Sequence, residues 1–428
     1  MDDTVEADLP SSPPPLPTAR PPSFVRALRH RPFFLLWASQ LISQSGDFVF
    51  DVALLWLVLE TTGSVFAVGL VVTAMLVPAV LLGPVLGVYI DRWPRRTLLF
   101  ATNVFEGVLV ALLSGLVLGH AAGLEVILAI VVALGAGAQV VRIASSALVP
   151  QTVGTDDLAP ANSLLSFSGS FNQVVGLSIG GVAVAAFGVA LPIEYDALSF
   201  FLAAVLLLAI PRAVGRTAPT AAGTDPEGFR AQFVEGFAFV RSQRFLVEII
   251  LLGMVVNFFA NALNALLAPY AALVLHGGPT TYGSLGAVLA AGSIVGAFVA
   301  GKINARRFAG KLLFGGSIAS GAVIALLGLT SDVYLALAEM FGLGALLAIT
   351  NVPMLTLVQA KVPARLMGRS MAVLFSLLVA MGPFGSFFAG SFAAASGVAS
   401  VFLLAGVAII VADSVGFVVM SELRNVEY

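Results

Sequence analysis

VFAVGLVVTAMLVPAVLLGPVLGVYIDRWPRR, residues 65–96, is an uncharged apolar run that ends abruptly at Asp91, Arg92, Arg95 and Arg96. A helix of about 20 such residues crosses the hydrocarbon core of a bilayer. The run therefore reads as a transmembrane helix, and the charged cluster as its exit into water. Eleven further apolar stretches of comparable length lie around it, so that spans are expected at roughly 35–59, 65–89, 97–119, 125–148, 163–188, 192–211, 245–275, 282–301, 312–330, 333–353, 369–394 and 399–421. Apart from Arg142, inside span 4, all 21 Lys and Arg residues then fall on one side. They occupy the N-terminal tail, the segments after spans 2, 8, 10 and 12, and the connection between spans 6 and 7. The opposite loops carry His120, His276 and acids such as Glu125 and Asp332. Since basic loops stay inside, both termini are expected to be cytoplasmic, in keeping with an even number of spans.

With 59% hydrophobic and only 10% charged residues, a chain of 428 residues would expose a vast apolar surface if water were its solvent. The bilayer is the expected partner for most of it. The net charge of −2 implies no nucleic-acid partner, because topology accounts for the basic residues. The absence of cysteine excludes disulfides, thiolate metal sites and cysteine nucleophiles, and His30, His120 and His276 all sit at span ends or in loops. No phosphate-binding Gly-x-x-x-x-Gly-Lys-Ser/Thr loop is present. Neither an enzyme, a cofactor nor a metal is expected.

Residues 1–30, acidic at first and then rich in proline, read as a disordered cytoplasmic tail without a cleavable signal peptide. A six-helix bundle is expected over 31–211, a cytoplasmic linker over 212–244 and a second six-helix bundle over 245–428. In the linker, Phe229, Phe233, Phe237 and Val240 recur at helical spacing, which fits an amphipathic helix either on the membrane surface or packed on its own protein. The two halves echo each other. Gly87-x-x-x-Asp91-Arg92 follows span 2, and Gly301-x-x-x-Ala305-Arg306 follows span 8. Duplicated bundles facing each other across a cavity are a common transporter architecture.

The segment from Gly87 to Arg96 is similar to the loop signature of the major facilitator superfamily, with Pro94 where a Gly is common. The resemblance covers about residues 30–424. Residues 33–48, 57–64, 159–162 and 367–370 resemble the branch of macrolide-efflux proteins and enterobactin exporters. Gly176-Leu177-Ser178-Ile179-Gly180-Gly181 is similar to the antiporter signature of the exporters, with Leu177 in place of proline; close helix packing is its other reading. The resemblance implies an all-α fold of twelve transmembrane helices in two pseudo-symmetric bundles. It further implies that Gly87, Asp91, Arg92, Arg95 and Arg96 act as a conformational latch, with Asp91 at the N-terminus of span 11.

Charged side chains at bilayer depth cost about 2.5–3.5 kcal/mol or more, so each needs a partner or a function. Gln40, Gln44, Asp47 and Asp51 lie on one face of span 1, which therefore cannot face lipid. Asp47, near mid-membrane, is the expected proton carrier, or else a packing residue bonded to a neighbouring helix. Asn257, Asn261 and Asn264 form a neutral stripe on span 7 that either meets substrate or holds helices together. Arg142 either pairs with Asp47 or Glu106 or snorkels to the cytoplasm. Glu106 and Asp413 are expected in interhelical hydrogen bonds, with Glu106 a second candidate for proton coupling. Glu339 of span 10 is a candidate for the cavity wall, and Glu248 is expected to pair with Arg244. Gly382-Pro383-Phe384-Gly385 predicts a kink in span 11, for gating or as a static bend.

The expected function is secondary transport in the cell membrane, by a monomer: export of a small, largely apolar compound, a drug, macrolide or siderophore-like metabolite, in exchange for protons. A nutrient importer or facilitator is the alternative within transport. A non-transporting sensor or assembly partner is the alternative outside it.

Overall fold

A computed structural model of the protein describes residues 24–90, 93–212, 214, 226–302, 309–424 and 426. Asp91, Arg92, Ala305, Arg306, Arg307 and the surroundings of Gly87 lie outside the described residues. Twelve helices long and apolar enough to cross a membrane are present. They run Arg31–Thr62, Val65–Ile90, Arg95–Leu118, Leu124–Thr152, Leu158–Phe187 and Ala190–Leu208 in the first half. The second half contains Arg244–Pro269, Pro279–Lys302, Ala309–Leu327, Val333–Lys361, Ala364–Ser396 and Val398–Val419, with a π-helical turn, Tyr270–Val274, ending span 7. Spans 4 and 10 continue well beyond their apolar runs, because a helix keeps its backbone hydrogen bonds internal after it leaves the hydrocarbon. Between spans 1 and 2 the chain turns at Gly63, whose φ of 60° suits a residue without Cβ and whose N–H caps Leu59 O at 2.9 Å.

The duplication inferred from two loops reappears in the packing. In the first half, span 1 packs on spans 5 and 6, span 3 on spans 4 and 6, and span 2 on span 4. Adding six to each number gives the principal pairs of the second half: 7 with 11 and 12, 9 with 10 and 12, and 8 with 10. The halves meet through spans 2 and 11 and through spans 5 and 8, which the same operation exchanges. Each crossing is built on a pair of glycines. A Cβ on Gly69 would lie 2.6 Å from Gly390 Cα, and one on Gly181 would lie 3.1 Å from Gly283 Cα. Small residues here let backbones approach as side chains would not.

The face at which span 1 begins and span 12 ends is the terminal face. Away from it, one continuous apolar core joins residues of both halves, from Phe50, Val68 and Ile193 to Leu266, Leu285 and Ala389. Toward the terminal face the core divides: Phe33, Leu99 and Leu148 belong to one cluster, Leu246, Phe314 and Leu374 to another. Among the described residues, the halves are thus joined at the far face and their apolar cores are separate at the terminal one.

Small elements close the terminal face of each half. Residues Phe24–Arg29, expected in the disordered tail, form a helix; Arg26 pairs with Asp157, and His30 Nε2 lies 2.9 Å from Asp157 Oδ2. These partners hold the Asp157 carboxyl below its usual range, first through the His30 hydrogen bond and then through Arg26. The linker helix, Pro226–Ser242, packs on span 11, where Glu235 pairs with Arg369. Its Val240 is buried among spans of the second half, so this part of the linker packs on protein, while Phe237 stays exposed. Glu248 takes Arg244 Nε at 3.0 Å, as their spacing predicts, and also accepts from Leu423 N at 2.8 Å, fastening the C-terminal segment to span 7.

Candidate functional site

A cavity of about 570 Å³ lies within the first half. Gln40, Gln44, Asp47 and Asp51, the polar face of span 1, all border it. Span 3 contributes Asn103 and Glu106, span 4 Gln139, Arg142, Ser145 and Ser146, and span 6 Asp196. Phe50, Met75, Leu134 and Phe200 supply apolar wall. Span 1 starts at the terminal face and span 4 ends there, so the lining from Asp51 through Gln40 to Val149 descends from mid-depth toward the side where the two cores separate.

Two of the acids are seated by glycines on a neighbouring helix. A Cβ on Gly137 of span 4 would overlap Glu106 Oε1, and one on Gly46 of span 1 would overlap Asp196 Oδ1 and Ser199 Oγ. Glu106 is thereby only 3% exposed and Asp196 1%. Asp47 and Asp51 are half-buried. Ser199 Oγ donates to the backbone oxygen of Asp196 at 2.8 Å and reaches its Oδ1 at 3.3 Å, while Asp196 Oδ2 is buried with no partner among the described residues. Asp47, Asp51 and Glu106 all lie within electrostatic reach of Asp196. No group of acids or histidines among the described residues is arranged to hold a metal ion.

Asp196 has no counterpart in the sequence reading. It lies in the first two turns of span 6 with Glu194 two residues before it and Ser199 three after it, and its charge inside an apolar run is the signal that marks it. Gly46 holds the second clue, because a glycine beside Asp47 makes room for a side chain from another helix.

Arg142 is paired with neither Asp47 nor Glu106 in this state. Its Nε and Nη2 donate to Gln139 Oε1 at 3.0 and 2.6 Å, and it forms no ion pair among the described residues. Gln139 is one turn away on the same helix, and the exposed guanidinium keeps its solvation, so no carboxylate is required. Glu339, a candidate for the cavity wall, is engaged locally. It accepts from Thr330 Oγ1 at 3.0 Å beside the turn between spans 9 and 10, because it lies two turns from the far end of span 10, and it borders neither cavity.

The neutral stripe of span 7 is divided. Asn257 borders a second cavity of about 230 Å³, walled by spans 7, 9, 10, 11 and 12. Asn261 donates to Asn257 O at 2.8 Å and packs near Gly382 of span 11. Asn264 is exposed and lines neither of these two cavities. The second cavity has Ser317, Ser320, Thr350 and Asn351 as polar groups and no charged residue in its lining. Asp413 accepts from Ser317 Oγ at 2.5 Å, the interhelical bond expected of it.

Of the latch residues, Arg96 donates to Leu207 O at 2.9 Å and Leu208 O at 2.5 Å, capping the C-terminus of span 6 within its own half. In the antiporter-like motif, Gly176 and Gly180 admit Phe48, Val49 and Val52 of span 1, while Gly181 faces Pro279 and Gly283 of span 8. Three glycines thus serve two interfaces. Span 11 remains one helix through Pro383, whose carbonyl accepts from Thr73 Oγ1 at 3.4 Å.

A family model described as "Transmembrane secretion effector" matches residues 23–427. The uncharacterized MFS-type transporter YvqJ of Bacillus subtilis is 24% identical over 401 residues, 93% of this chain and 94% of that one. The multidrug efflux pump Tap of Mycobacterium tuberculosis is 25% identical over 391 residues, 87% and 89% of the two chains. Among solved structures, a bacterial homolog of the human lysosomal transporter Spinster, inward-facing and unoccupied, superposes with a TM-score of 0.74 at 16% identity over 92% of this chain and 98% of its own. The D-xylose-proton symporter does so with a TM-score of 0.69 at 16% identity, over 95% and 100%.

Proposed function

The chain belongs to the transmembrane secretion effector family of major facilitator transporters, and we propose that it exports a small, largely apolar compound across the cell membrane in exchange for protons. The observation that carries this reading is the acid-walled cavity, which reaches from mid-membrane toward the terminal face. Its size suits a drug-sized molecule. Asp47 is the proton carrier in this scheme, since it is half-buried in the cavity wall, with Glu106 as the deeper acid beside it. Arg142, fixed by Gln139, keeps its charge throughout the cycle and is available to Asp47 in a later state.

In this reading the terminal face is cytoplasmic, which the positive-inside pattern supports, and the cavity opens inward. Export follows if substrate enters there, the two terminal cores come together, and the glycine contacts of the far face separate. The two bundles, 31–211 and 245–428, then move as units about the linker. The likeness to Tap supports efflux over import. The test is a proteoliposome assay in which candidate compounds are added and proton movement is followed. Substrate-dependent proton flux opposite to substrate supports antiport; flux in the same direction establishes an importer; no flux and no transport with any compound favours the sensor alternative.

A further inference from the structure

We propose that the second-half cavity is a binding site in its own right, holding an uncharged hydrogen-bond donor of the exported compound, a hydroxyl or an amide N–H. The short helix Ser421–Arg424 is the stopper past which this site fills. The proposal rests on the export reading for the identity of the occupant alone; the site stands on the cavity itself.

Hydrogen-bond accounting gives the chemistry. A hydroxyl has one proton to donate and two lone pairs with which to accept. The hydroxyls that border this cavity belong to Ser317, Ser320 and Thr350, and the proton of each is engaged elsewhere. Ser317 donates to Asp413 Oδ2, Ser320 to Gly316 O at 2.9 Å and Thr350 to Leu346 O at 2.8 Å. Asn257 spends an amide N–H on Gly253 O at 2.9 Å, which leaves its Oδ1 to accept. The wall therefore presents acceptors, and an occupant without a donor leaves them unmet. An ion is disfavoured as well, since no charged residue stands among the described residues of the lining to pair with it. Gly316 secures part of the arrangement, because a Cβ there would overlap Thr350 Oγ1.

The mouth of the cavity is the second observation. Leu423 borders it and is fully buried. Span 12 ends at Val419 and the chain leaves the helical conformation at Met420, so that Ser421–Arg424 is a separate helix. It is tied down by Leu423 N donating to Glu248 Oε2 at 2.8 Å and by Arg424 Nη1 donating to Phe417 O at 3.2 Å, while Gly310 of span 9 leaves room for the Leu423 carbonyl. The first-half cavity has no such cover, for no residue of the helix Phe24–Arg29 borders it. A segment that closes a cavity with one apolar side chain and a break behind it can lift and return while span 12 stays packed.

The probes are naphthol, which is neutral and has one O–H donor, and its methyl ether, which has the same rings and no donor, with the purified full-length chain in lipid nanodiscs. The chain has no native cysteine, so Asn351→Cys, exposed on the cavity wall, gives a single site for maleimide. Naphthol should slow its labelling at concentrations at which the ether does not. Adding Thr350→Val, which keeps the shape and removes one acceptor, should raise the naphthol concentration needed by about fivefold. Monodispersity checks folding, and the comparison of the two probes stands without this second variant. Adding Leu423→Ala instead should speed the onset of protection several-fold. No protection by naphthol, equal protection by both probes or an unaltered concentration in folded Thr350→Val overturns the site; an unaltered onset in Leu423→Ala overturns the stopper. Donor-selective protection with no proton flux for any compound supports the site and removes the export reading. Proton-coupled export of naphthol without protection of Asn351→Cys does the reverse.

Discussion

The two halves share one helix-packing scheme, yet their inner cavities differ in charge. The first half holds about 570 Å³ bordered by four carboxylates and an arginine; the second holds about 230 Å³ bordered by hydroxyls, amides and apolar groups. Since the second bundle closes with the same helix pairs and no ionisable group in its cavity, the scaffold itself has no need of the acids. Their cost in the membrane is then borne for what they do in the cycle, and the asymmetry separates the coupling half from a half that offers shape and hydrogen bonds.

The largest effect that could break this comparison is at Asp47. Asp47→Asn should reduce proton-coupled export to background while the protein remains folded in the membrane; a variant whose efflux keeps the wild-type dependence on pH would remove the division of labour between the halves. The two glycine crossings provide the next test, because pseudo-symmetry predicts matching behaviour. Gly69→Leu and Gly181→Leu should each disfavour the joined far face by about 1–3 kcal/mol through overpacking. Engineered cysteines near the far face should become more accessible to labelling in both. A response in one alone would show that spans 2 and 11 and spans 5 and 8 are not equivalent.

A smaller change is expected at Arg142. Its guanidinium is exposed and bonded within its own helix, so Arg142→Ala should lower turnover several-fold with thermal stability close to wild type. A large loss of stability would show that a buried partner exists in the dominant state. In the second half, Asn257→Ala removes one hydrogen-bonding group and should weaken substrate affinity by about fivefold, near 1 kcal/mol, leaving coupling intact. Abolished proton coupling there would contradict the neutral role of that cavity.

The smallest effect lies at the terminal face, where the helix Phe24–Arg29 is tied to Asp157. The Asp157 carboxyl is held below its usual range, so its contribution is complete above about pH 4 and is lost only as the pH falls through the lowered value. Protease sensitivity around residues 24–30 should therefore be flat through neutral pH in the wild type. Asp157→Asn should raise it at neutral pH while changing transport less than twofold, about the scale of a surface contact.

Helix number, the even count of spans, the position of the linker helix and the polar face of span 1 could be read directly. Length and hydropathy decide what can cross a bilayer, and residues four and three apart share a face whatever surrounds them. Gln40, Gln44, Asp47 and Asp51 accordingly line one cavity together. The surroundings of Asn264 and Glu339 could not be read for a single reason: a stripe gives the direction of a side chain and says nothing of what stands opposite. Asn264 is exposed at the far end of its stripe, and Glu339 faces a turn.

Sequence alone therefore determined the membrane-spanning plan, the duplication and three acids of the wall, Asp47, Asp51 and Glu106, because each is written in local periodicity and in the distribution of charge. Only the tertiary structure decided that Asp196 joins Asp47 across the packing of spans 1 and 6, that Arg142 rests on Gln139, and that the halves share a core at one face and divide at the other. These depend on contacts between residues far apart in the chain. A single glycine such as Gly46 sets how closely two helices approach, and its meaning appears only when the second helix is in place.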